Sequence, residues 1–577
     1  MVLIFAFLLR VWGLSRGDTI NDEVFYAFRA IGPLDFDKAA VQKTPLEWFD
    51  PRANTESKGI PWWTNLSFHD HSPLVFWVQH IFISIFGESA WAFRLPSVIL
   101  GVLSIYLVYM IGALIFSAEA GLISASFLAV TVNNVFLTRT GLQEPYVIFF
   151  ILLAAYLFLQ SLKNDKYLIW LGVTAGLAML TKYNSIVLAP IFFTYLLLYK
   201  RDYFKNKRLR LGALLAIIIF SPVIIYNAML YSSVGHFDFQ LSYIFKQNPQ
   251  EWRDAPGKEI GTLAERFQLF IPRLIHTNSW LFLGLFAVSF LYLLISAGIP
   301  AILFITILYL TFYIIFLIGP AHRFLAMLTP WMAVAVGGGV GQYLQAGLAR
   351  RAGKVPRSGG ASETAPPRGS HAGRTEESAK VLSKSRLIVF FLAPILLFEV
   401  FYSYNNQIAY YPMGPEPWIA SRVRLDNYNW GYNELDDYLE RELAGKMPAL
   451  AFQSRYQFLE DTQDKYLESA RQEGLEPYPA LITLYGNYDE GGKLWVLERL
   501  NVYHGWPIIS FSTYQQYLQE NGADYYAKMG FKYYYFITTT NIVPTAEFSV
   551  LVQNAEPALI KNPRGDVVFK VYKTDKI

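Results

Sequence analysis

Long stretches of apolar residues are the feature that most limits the folds open to this chain. Hydrophobic residues make up 53% of its 577 residues and charged residues only 16%, whereas about a quarter of a typical soluble domain is charged. Because an apolar run of about 20 residues can cross a bilayer as a helix, the sequence predicts a polytopic α-helical membrane protein. We predict about 11 transmembrane helices, at residues 1–15, 92–115, 119–137, 145–162, 167–181, 184–199, 209–230, 278–296, 299–318, 324–345 and 387–405.

Some apolar stretches allow more than one interpretation. Residues 1–15 are few and include Arg10, so a cleaved signal peptide is the alternative, although no small-residue cleavage site precedes Asp22. The stretch 167–199 fits either two tight spans or a re-entrant pair. Residues 73–86 are apolar and aromatic but too few to cross comfortably, and they predict a helix lying in the membrane interface.

The distribution of Lys and Arg predicts the orientation in the membrane. Residues 200–210 hold six basic residues and one acidic residue, and residues 346–386 hold nine and three, so both are expected to be cytoplasmic. The loop 16–90 holds six basic and ten acidic residues and is expected outside. With 11 spans, the N-terminus is then cytoplasmic and residues 406–577 are extracytoplasmic. We expect a multi-pass protein of the plasma (inner) membrane.

The chain divides into four predicted regions. Residues 1–345 form a transmembrane module with the large outer loop 16–90. Residues 346–386 are rich in Gly, Ser, Pro and charge, which is typical of a disordered loop, here basic and cytoplasmic. Residues 387–405 form the last transmembrane helix, and 406–577 alternate polar stretches with short apolar runs, which predicts a soluble α/β domain.

Composition excludes several classes of function. The absence of cysteine rules out disulfides and thiolate metal sites. The net charge of +4 is too small and too dispersed to indicate a nucleic-acid partner. The sequence also has no glycine-rich phosphate loop, which argues against direct use of a cytosolic nucleotide sugar.

Ionisable residues gather at the ends of the predicted spans, and the topology puts all of these clusters on the outer side. They are Asp22 and Glu23, His69 with Asp70 and His71, Arg139 with Glu144, Lys182, and His322 with Arg323. Asp22 and Glu23 could accept protons, orient a hydroxyl or bind a divalent cation, although Asp is also a common helix N-cap. Tyr26 follows them among aromatic residues that could wall a pocket.

For the remaining clusters, too, the sequence allows explanations other than the proposed functional role. His69 and His71 could bind a metal, phosphate or sugar hydroxyls, but spacing supplies no further zinc ligand, so we predict no metal site and do not favour a divalent cation. Glu144 precedes a proline at a predicted helix start, where an acid also complements the helix dipole. Lys182 and Arg323 could hold a phosphate or could snorkel toward lipid headgroups.

These side chains together fit one reaction. Cations beside lipid suit a lipid-linked phosphate whose tail stays in the bilayer, and carboxylates suit activation of an acceptor. The sequence therefore predicts glycosyl transfer from a polyprenyl-phosphate-linked sugar, as in glycosylation of the cell envelope. The donor is a substrate, and no further cofactor is predicted. The acceptor stays open among protein, lipid and cell-wall glycan.

The motifs resemble those of the membrane glycosyltransferases of the C-type superfold, and most closely the protein O-mannosyltransferases and the aminoarabinose transferases that modify lipid A. The similar pieces lie within residues 5–345: Asp22-Glu23 with Tyr26-Ala27, His71-Ser-Pro-Leu74 with Trp77, Phe86-Gly87, Arg94-Leu-Pro-Ser97 leading into Gly101, Arg139 with Glu144, Gly176 to Lys182, and Arg323-Phe-Leu. The related loop usually reads His-Pro-Pro, and here Ser72 replaces its first proline.

The resemblance implies an inverting transferase that does not depend on a metal. In it, Asp22 would be the main catalytic carboxylate, Glu23 would support it, and Glu144 would be the second-loop acid. Lys182 and Arg323 would contact the donor phosphate. We group the polar neighbours as further substrate-binding candidates: His69, His71, Arg139, His322 and Tyr26.

Two other classes of protein remain possible from the sequence. One is a flippase or transporter of lipid-linked sugars, and the other is a non-catalytic scaffold that binds glycans. A transporter needs polar residues along a transmembrane path. Here the charges cluster at one end of largely apolar spans, which favours the enzyme.

Overall fold

The computed structural model describes residues 1–36, 42–255, 260–351, 390, 392–409, 411–419, 421, 430–486 and 490–575. Apolar α-helices make up most of the chain before residue 404. They span Val2–Val11, Asn21–Ile31, Pro45–Trp48, Leu74–Phe86, Ala90–Ile115, Ala118–Val130, Val132–Leu137, Glu144–Ser161, Tyr167–Thr181, Leu188–Tyr199, Lys207–Val234, Phe239–Ile244, Leu263–Thr277, Trp280–Tyr292, Ala301–Tyr313, His322–Leu325, Thr329–Arg351 and residues 392–403.

Within the described ranges, five helices are long and apolar enough to cross a membrane, or six if a pair bent by 115° counts as one span. The five are Ala90–Ile115, Glu144–Ser161, Lys207–Val234, Ala301–Ile318 and His322–Gln345, and the bent pair is Leu263–Thr277 with Trp280–Ser296. Shorter apolar helices lie at Val2–Val11, Leu74–Phe86, Ala118–Val130, Tyr167–Thr181 and Tyr183–Tyr199. The count of 11 spans therefore stays a prediction.

Three local predictions differ from the structure. The predicted span 119–137 is interrupted at Thr131, whose extended backbone ends one helix and precedes another. A helix, Leu263–Thr277, forms between the predicted spans 209–230 and 278–296, where no helix was predicted, and Thr262 and Glu265 make a reciprocal capping box at its start. Residues 346–351 continue a helix instead of beginning the disordered loop, and the rest of that predicted loop, up to residue 386, lies outside the described residues.

Glycines allow a close approach between two helices of the bundle. A Cβ atom placed on Gly172 would lie 2.0 Å from the carbonyl oxygen of Gly212, and one on Gly212 would lie 2.4 Å from that of Leu168. Helices Tyr167–Thr181 and Lys207–Val234 therefore pack backbone against backbone, as small residues permit in membrane bundles.

The C-terminal part combines a mixed β-sheet with helices, as the α/β pattern predicts. Its strands are β1 (Lys446–Pro448), β2 (Glu476–Tyr478), β3 (Ala480–Tyr485), β4 (Ile508–Ser510), β5 (Tyr533–Thr539), β6 (Pro557–Lys561) and β7 (Val567–Thr574), and its helices are Tyr432–Leu443, Gln457–Gln472, Glu490–Lys493, Arg499–Val502, Phe511–Asn521, Tyr525–Met529 and Ala546–Leu551. The five-stranded sheet has the order β4-β3-β5-β7-β6, in which β4, β3 and β5 are parallel and β7 is antiparallel to both of its neighbours.

The C-terminal sheet region shares a hydrophobic core with the loop 16–90. Val24 and Phe28 of helix Asn21–Ile31 belong to the same buried cluster as Trp495 and Tyr503, and the Tyr503 hydroxyl donates to the Phe28 carbonyl at 2.6 Å. The helix that begins with the predicted catalytic acids is thus held by the C-terminal part on one side.

Candidate active site

Helix Asn21–Ile31 supplies the centre of the candidate site. Residues four apart share a helix face, so Asp22 and Tyr26 project together. At the helix start, the Ile20 backbone N–H donates to the Glu23 carboxylate at 3.3 Å. Acidic side chains in the first turn also complement the positive end of the helix dipole. The local sequence thus fixes where this helix begins and which side chains it presents.

Two carboxylates and two cations meet at this face. Asp22 forms an ion pair with Arg323, whose Nε lies 3.8 Å from Glu144 Oε1. Lys182 Nζ lies 2.8 Å from the same Glu144 oxygen. The side chains of Asp22 and Arg323 are 36% and 35% exposed, whereas that of Glu144 is buried. Asp22 and Arg323 therefore form the solvent-exposed side of the cluster, and Glu144 lies on its buried side.

A polar chain extends from Asp22 to the His-Asp-His loop. The Tyr26 hydroxyl lies 3.4 Å from Asp22 Oδ2 and 3.1 Å from His71 Nε2. His71 Nδ1 lies 2.9 Å from Asp70 Oδ1, and Arg29 donates to the same oxygen at 2.6 Å. Asp22 is thus connected through one hydroxyl to a histidine that faces a second carboxylate.

The surrounding charges decide which of these groups are ionised. Burial alone would raise the pKa of Asp22, but the Arg323 charge outweighs it and the pKa is lowered from its ordinary value. Burial is likewise overcome by Arg29 at Asp70, whose pKa lies well below the ordinary value. Burial and the Asp22 charge raise the pKa of Tyr26 well above its usual value. At neutral pH the two aspartates are carboxylates and the tyrosine keeps its proton.

Glu23 faces away from this cluster. Arg94 Nε donates to its Oε2 at 3.0 Å and Arg94 Nη2 to its Oε1 at 2.6 Å, and the Gly141 N–H donates to Oε2. The remaining N–H groups of Arg94 donate to the carbonyls of Leu14, Gly17 and Asp18. Both side chains are buried, so Glu23 ties the start of its helix to the preceding loop.

His69 is fully buried and contacts a separate set of residues. Its Nδ1 is 2.8 Å from Asp35 Oδ1, its backbone N–H donates to Asp35 Oδ2 at 2.7 Å, and the Gln42 amide is 3.0 Å from its Nε2. Ligand atoms of Asp35, His69 and Asp70 lie within 4.8 Å of one another and could hold a metal ion. A cation there would face the Arg29 guanidinium, which is already bonded to Asp70.

Two predicted substrate-binding residues are not part of the cluster itself. Arg139 points away from it, and His322 lies at its margin. The Arg139 guanidinium donates to the carbonyls of Leu9, Arg10, Trp12 and Gly13, at the end of the first helix. His322 adjoins Arg323, with its ring 6.5 Å from that of His276. The structure therefore brings Asp22, Tyr26, His71, Glu144, Lys182 and Arg323 together but places Arg139 outside this cluster.

Sequence reasoning missed Arg29, Asp35 and Arg94 as neighbours of the predicted site residues. Arg29 follows Asp22 by two helical turns, so helical spacing from Asp22 could have found it. Arg94 stood only in the Arg94-Leu-Pro-Ser97 motif, with no role assigned. No sequence signal connects Asp35 with His69, because they are 34 residues apart in a loop.

The solved structure of ArnT from Cupriavidus metallidurans, bound to undecaprenyl phosphate, defines the class of this fold. The two chains align with a TM-score of 0.52 and 13% identity, over 99% of this chain and 96% of ArnT. At this identity the likeness concerns the fold alone. The chain therefore has the helical fold of ArnT-type membrane glycosyltransferases, with a C-terminal sheet region.

Sequence comparison adds a family match over part of the chain. Residues 70–226 match the family of dolichyl-phosphate-mannose-protein mannosyltransferases. The presumed mannosyltransferases YycA and YkcB of Bacillus subtilis strain 168 are 32% and 30% identical over 155 and 156 residues, each match covering 26% of this chain. The matches span only 22% and 21% of those relatives. The predicted family resemblance is confirmed, and the matched segment contains His71, Glu144 and Lys182 but neither Asp22 nor Arg323.

Proposed function

We propose that this protein transfers a glycosyl group from a polyprenyl-phosphate-linked sugar to an acceptor, with inversion at the anomeric carbon. The observation that carries this proposal is the Asp22–Arg323 ion pair above the Glu144–Lys182 pair. A carboxylate that can take a proton and cations that can stabilise a phosphate lie side by side, as this reaction requires. The family match and the fold support the same chemistry.

Each member of the cluster has a proposed task. Arg323 and Lys182 bind the donor phosphate and stabilise its charge as it leaves. Glu144, between them, holds both cations in place. Asp22 accepts the proton of the acceptor hydroxyl or amine while the acceptor atom bonds to the anomeric carbon. The bond from that carbon to the phosphate oxygen breaks, and the phosphate leaves with the electron pair.

Tyr26 and His71 extend this mechanism. With its hydroxyl between Asp22 and His71, Tyr26 can pass the proton from Asp22 to the imidazole by donating one proton as it accepts another. The Asp70 carboxylate stabilises the resulting imidazolium. Asp22 is then ionised again for the next turnover. In this scheme Glu23 and His69 position the helix and the loop, and His322 borders the donor site.

The location of the reaction is part of the proposal. We place the cluster at the extracytoplasmic face of the plasma membrane, with the N-terminus of the chain in the cytoplasm and residues 406–577 outside. The transmembrane module 1–345 would carry the reaction, and a protein, lipid or cell-wall glycan would be the acceptor. No metal takes part in the proposed mechanism.

Glycan analysis of the source organism tests this function. The gene is deleted and replaced by the wild type, by Asp22→Asn or by Asp202→Asn, a matched change of an exposed aspartate. We expect a glycan or glycolipid that disappears in the deletion strain, returns with the wild type and Asp202→Asn, and stays absent with Asp22→Asn at equal protein level. Full restoration by Asp22→Asn would contradict the transferase and point to a flippase or scaffold.

A further inference from the structure

A buried carboxyl group, that of Asp238, has no task in the proposed transfer but is bonded to the sequence neighbour of Lys182. Its Oδ2 accepts a hydrogen bond from the Tyr183 hydroxyl and another, at 2.8 Å, from Asn227 Nδ2. Its Oδ1 accepts the backbone N–H of Leu241 at 2.8 Å. The residue is fully buried, and a buried polar network with its donors and acceptors paired is rigid. The Tyr183 side chain is therefore held in one place.

The backbone at Lys182 makes the direction of its side chain depend on Tyr183. Lys182 follows helix Tyr167–Thr181 with an extended backbone, at φ −165° and ψ 140°, and a 3₁₀ helix begins at Tyr183. Neighbouring side chains on an extended backbone point to opposite sides. Lys182 Nζ accordingly reaches Glu144 Oε1 at 2.8 Å, and the Tyr183 hydroxyl reaches Asp238 on the other side. A shift of Tyr183 would thus move the Lys182 ammonium.

Asn227 fixes Asp238 to the helical bundle. It lies in helix Lys207–Val234, and its Oδ1 accepts the Asp238 backbone N–H at 2.8 Å while its Nδ2 donates to the Asp238 side chain. The Tyr183 ring contacts Phe220 of the same helix, with the ring centroids 6.1 Å apart. The position of the turn that carries Lys182 therefore depends on this helix.

Asp238 also connects this turn with the loop of the candidate site that contains His71. Its side chain caps the short helix Phe239–Ile244, and the Phe239 N–H donates to the His69 carbonyl at 2.7 Å. His69 precedes His71 by two residues, and the His71 ring faces the Tyr26 hydroxyl. One buried residue thus joins the turn that carries a proposed phosphate contact to the loop on the side of the proposed base.

We propose that Asp238 is a positioning residue of the active site, which acts through Tyr183 to hold the Lys182 ammonium where the phosphate of a polyprenyl-linked substrate binds. This inference rests on the part of the proposed function that makes Lys182 a phosphate contact. Groups of a binding site must be held to within about 0.5 Å of the productive geometry. The Lys182 side chain is long and flexible, so a fixed turn at its base reduces the range of positions that its ammonium can take.

Binding of undecaprenyl phosphate to the purified protein tests the proposal without turnover. Native mass spectrometry in detergent would give the dissociation constant for each variant. Lys182→Gln removes the ammonium and should weaken binding about tenfold or more. Tyr183→Phe and Asp238→Asn should each weaken it about three- to tenfold, because a misplaced ammonium keeps only part of its attraction for the phosphate. Tyr203→Phe removes a hydroxyl that donates to the Ser161 carbonyl at 3.0 Å, and this matched control should bind like the wild type.

Double mutants distinguish positioning from a general loss of stability. If Tyr183 acts by placing the ammonium, Tyr183→Phe should change affinity by less than about twofold in the Lys182→Gln background, because residues that act as a unit are not additive. Additive losses of affinity would overturn the proposal, and so would wild-type affinity in Tyr183→Phe or in Lys182→Gln. Tyr183→Phe keeps the ring, so it tests the proposal even if Asp238→Asn, which also alters a helix cap, fails to fold.

A transfer assay on the same proteins separates the role of Asp238 from the proposed function. Non-additive effects of Tyr183→Phe and Lys182→Gln on binding, in a protein that transfers no sugar, would support the positioning role and overturn the transferase. Sugar transfer by a protein in which the two substitutions act additively on binding would support the transferase and overturn the positioning role.

Discussion

Asp22 and Arg323 lie 301 residues apart in the sequence, and their side chains form an ion pair. Asp22 lies in the first turn of helix Asn21–Ile31, and Arg323 precedes helix Thr329–Arg351. The pair brings two distant parts of the predicted transmembrane module to one partly exposed place. It also unites, in direct contact, the base and one of the two phosphate-binding cations of the proposed reaction.

Asp22→Asn should abolish transfer without unfolding the protein. The amide keeps the size of the side chain but cannot accept the acceptor proton, and losing a general base typically costs about 10²–10⁴-fold in rate. The rate is measured in proteoliposomes as polyprenyl phosphate released from mannosyl-phosphoryl-polyprenol, with Asp202→Asn as control. A variant that keeps half of the wild-type rate would show that Asp22 is not the base.

Substitutions of Arg323 should weaken donor binding, and the loss should be larger when the new side chain keeps fewer of the interactions with the phosphate. A hydrogen bond to a charged group contributes about 1.5–3 kcal/mol, or roughly 10- to 100-fold in affinity. Arg323→Gln should raise the KM for the donor by this factor, and Arg323→Lys, which keeps the charge but not the fork, should have a smaller effect. Exposed Arg201→Gln serves as the control. An unchanged donor KM in Arg323→Gln would remove Arg323 from the phosphate site.

The acid side of the pH–rate profile should move when Arg323 is replaced. Asp22 must be ionised to accept a proton, so activity falls as pH falls through its pKa. In the wild type the Arg323 charge holds this pKa below its ordinary value against the effect of burial. In Arg323→Gln the effect of burial is less opposed, and the acidic limb should shift to higher pH. Profiles of residual kcat for both proteins check this, and a shift to lower pH would contradict the assignment.

The sequence predicted the class of fold and the main members of the site, but not the direction of each side chain. Apolar runs and motif order were enough to predict a helical membrane protein and to select Asp22, Glu144, Lys182 and Arg323, which the structure brings together. The partners of Glu23 could not be predicted in this way, because adjacent helical residues face different neighbours and Arg94 is 71 residues away.

The same limit applies to Arg139 and to the breaks in the helices. A basic residue at the end of an apolar run suits a phosphate as well as the carbonyls of a helix end, and here tertiary packing directs Arg139 to the end of the first helix. No Gly or Pro lies next to the break at Thr131, and the apolar residues on both sides outweigh the polar Asn133 and Asn134, so hydropathy alone predicts an unbroken span.

Glu23→Gln should lower stability more than Asp22→Asn does. Glu23 and Arg94 form a buried ion pair, and removing one partner of such a pair typically costs about 3–5 kcal/mol because the other charge is left unpaired. Thermal unfolding in detergent would compare the two variants with Glu56→Gln, a matched change at an exposed position. If Glu23→Gln unfolds like the wild type but loses turnover, Glu23 acts in the chemistry and not as a positioning residue.

Asp18 should make the stability of the C-terminal part depend on pH. Its carboxylate accepts the backbone N–H groups of Trp430, Gly431 and Asn433 at the start of helix Tyr432–Leu443. Burial nevertheless raises its pKa to about 6, because these hydrogen bonds only partly offset it. The folded state then binds a proton more readily than the unfolded state, so the contribution of Asp18 to stability falls as pH rises from about 4 to about 6 and is constant above.

Asp18→Asn removes this titration and keeps a hydrogen-bond acceptor. Compared with Asp18→Asn, the wild type should therefore lose stability between those pH values, by an amount of the order of 3 kcal/mol for a shift of about two units. Asp18→Ala, which loses the cap, should be less stable than Asp18→Asn at every pH. Thermal unfolding at a series of pH values measures both effects, with exposed Asp461→Asn as control. A difference between wild type and Asp18→Asn that grows in favour of the wild type as pH rises would show that this carboxylate is stabilised in the ionised form.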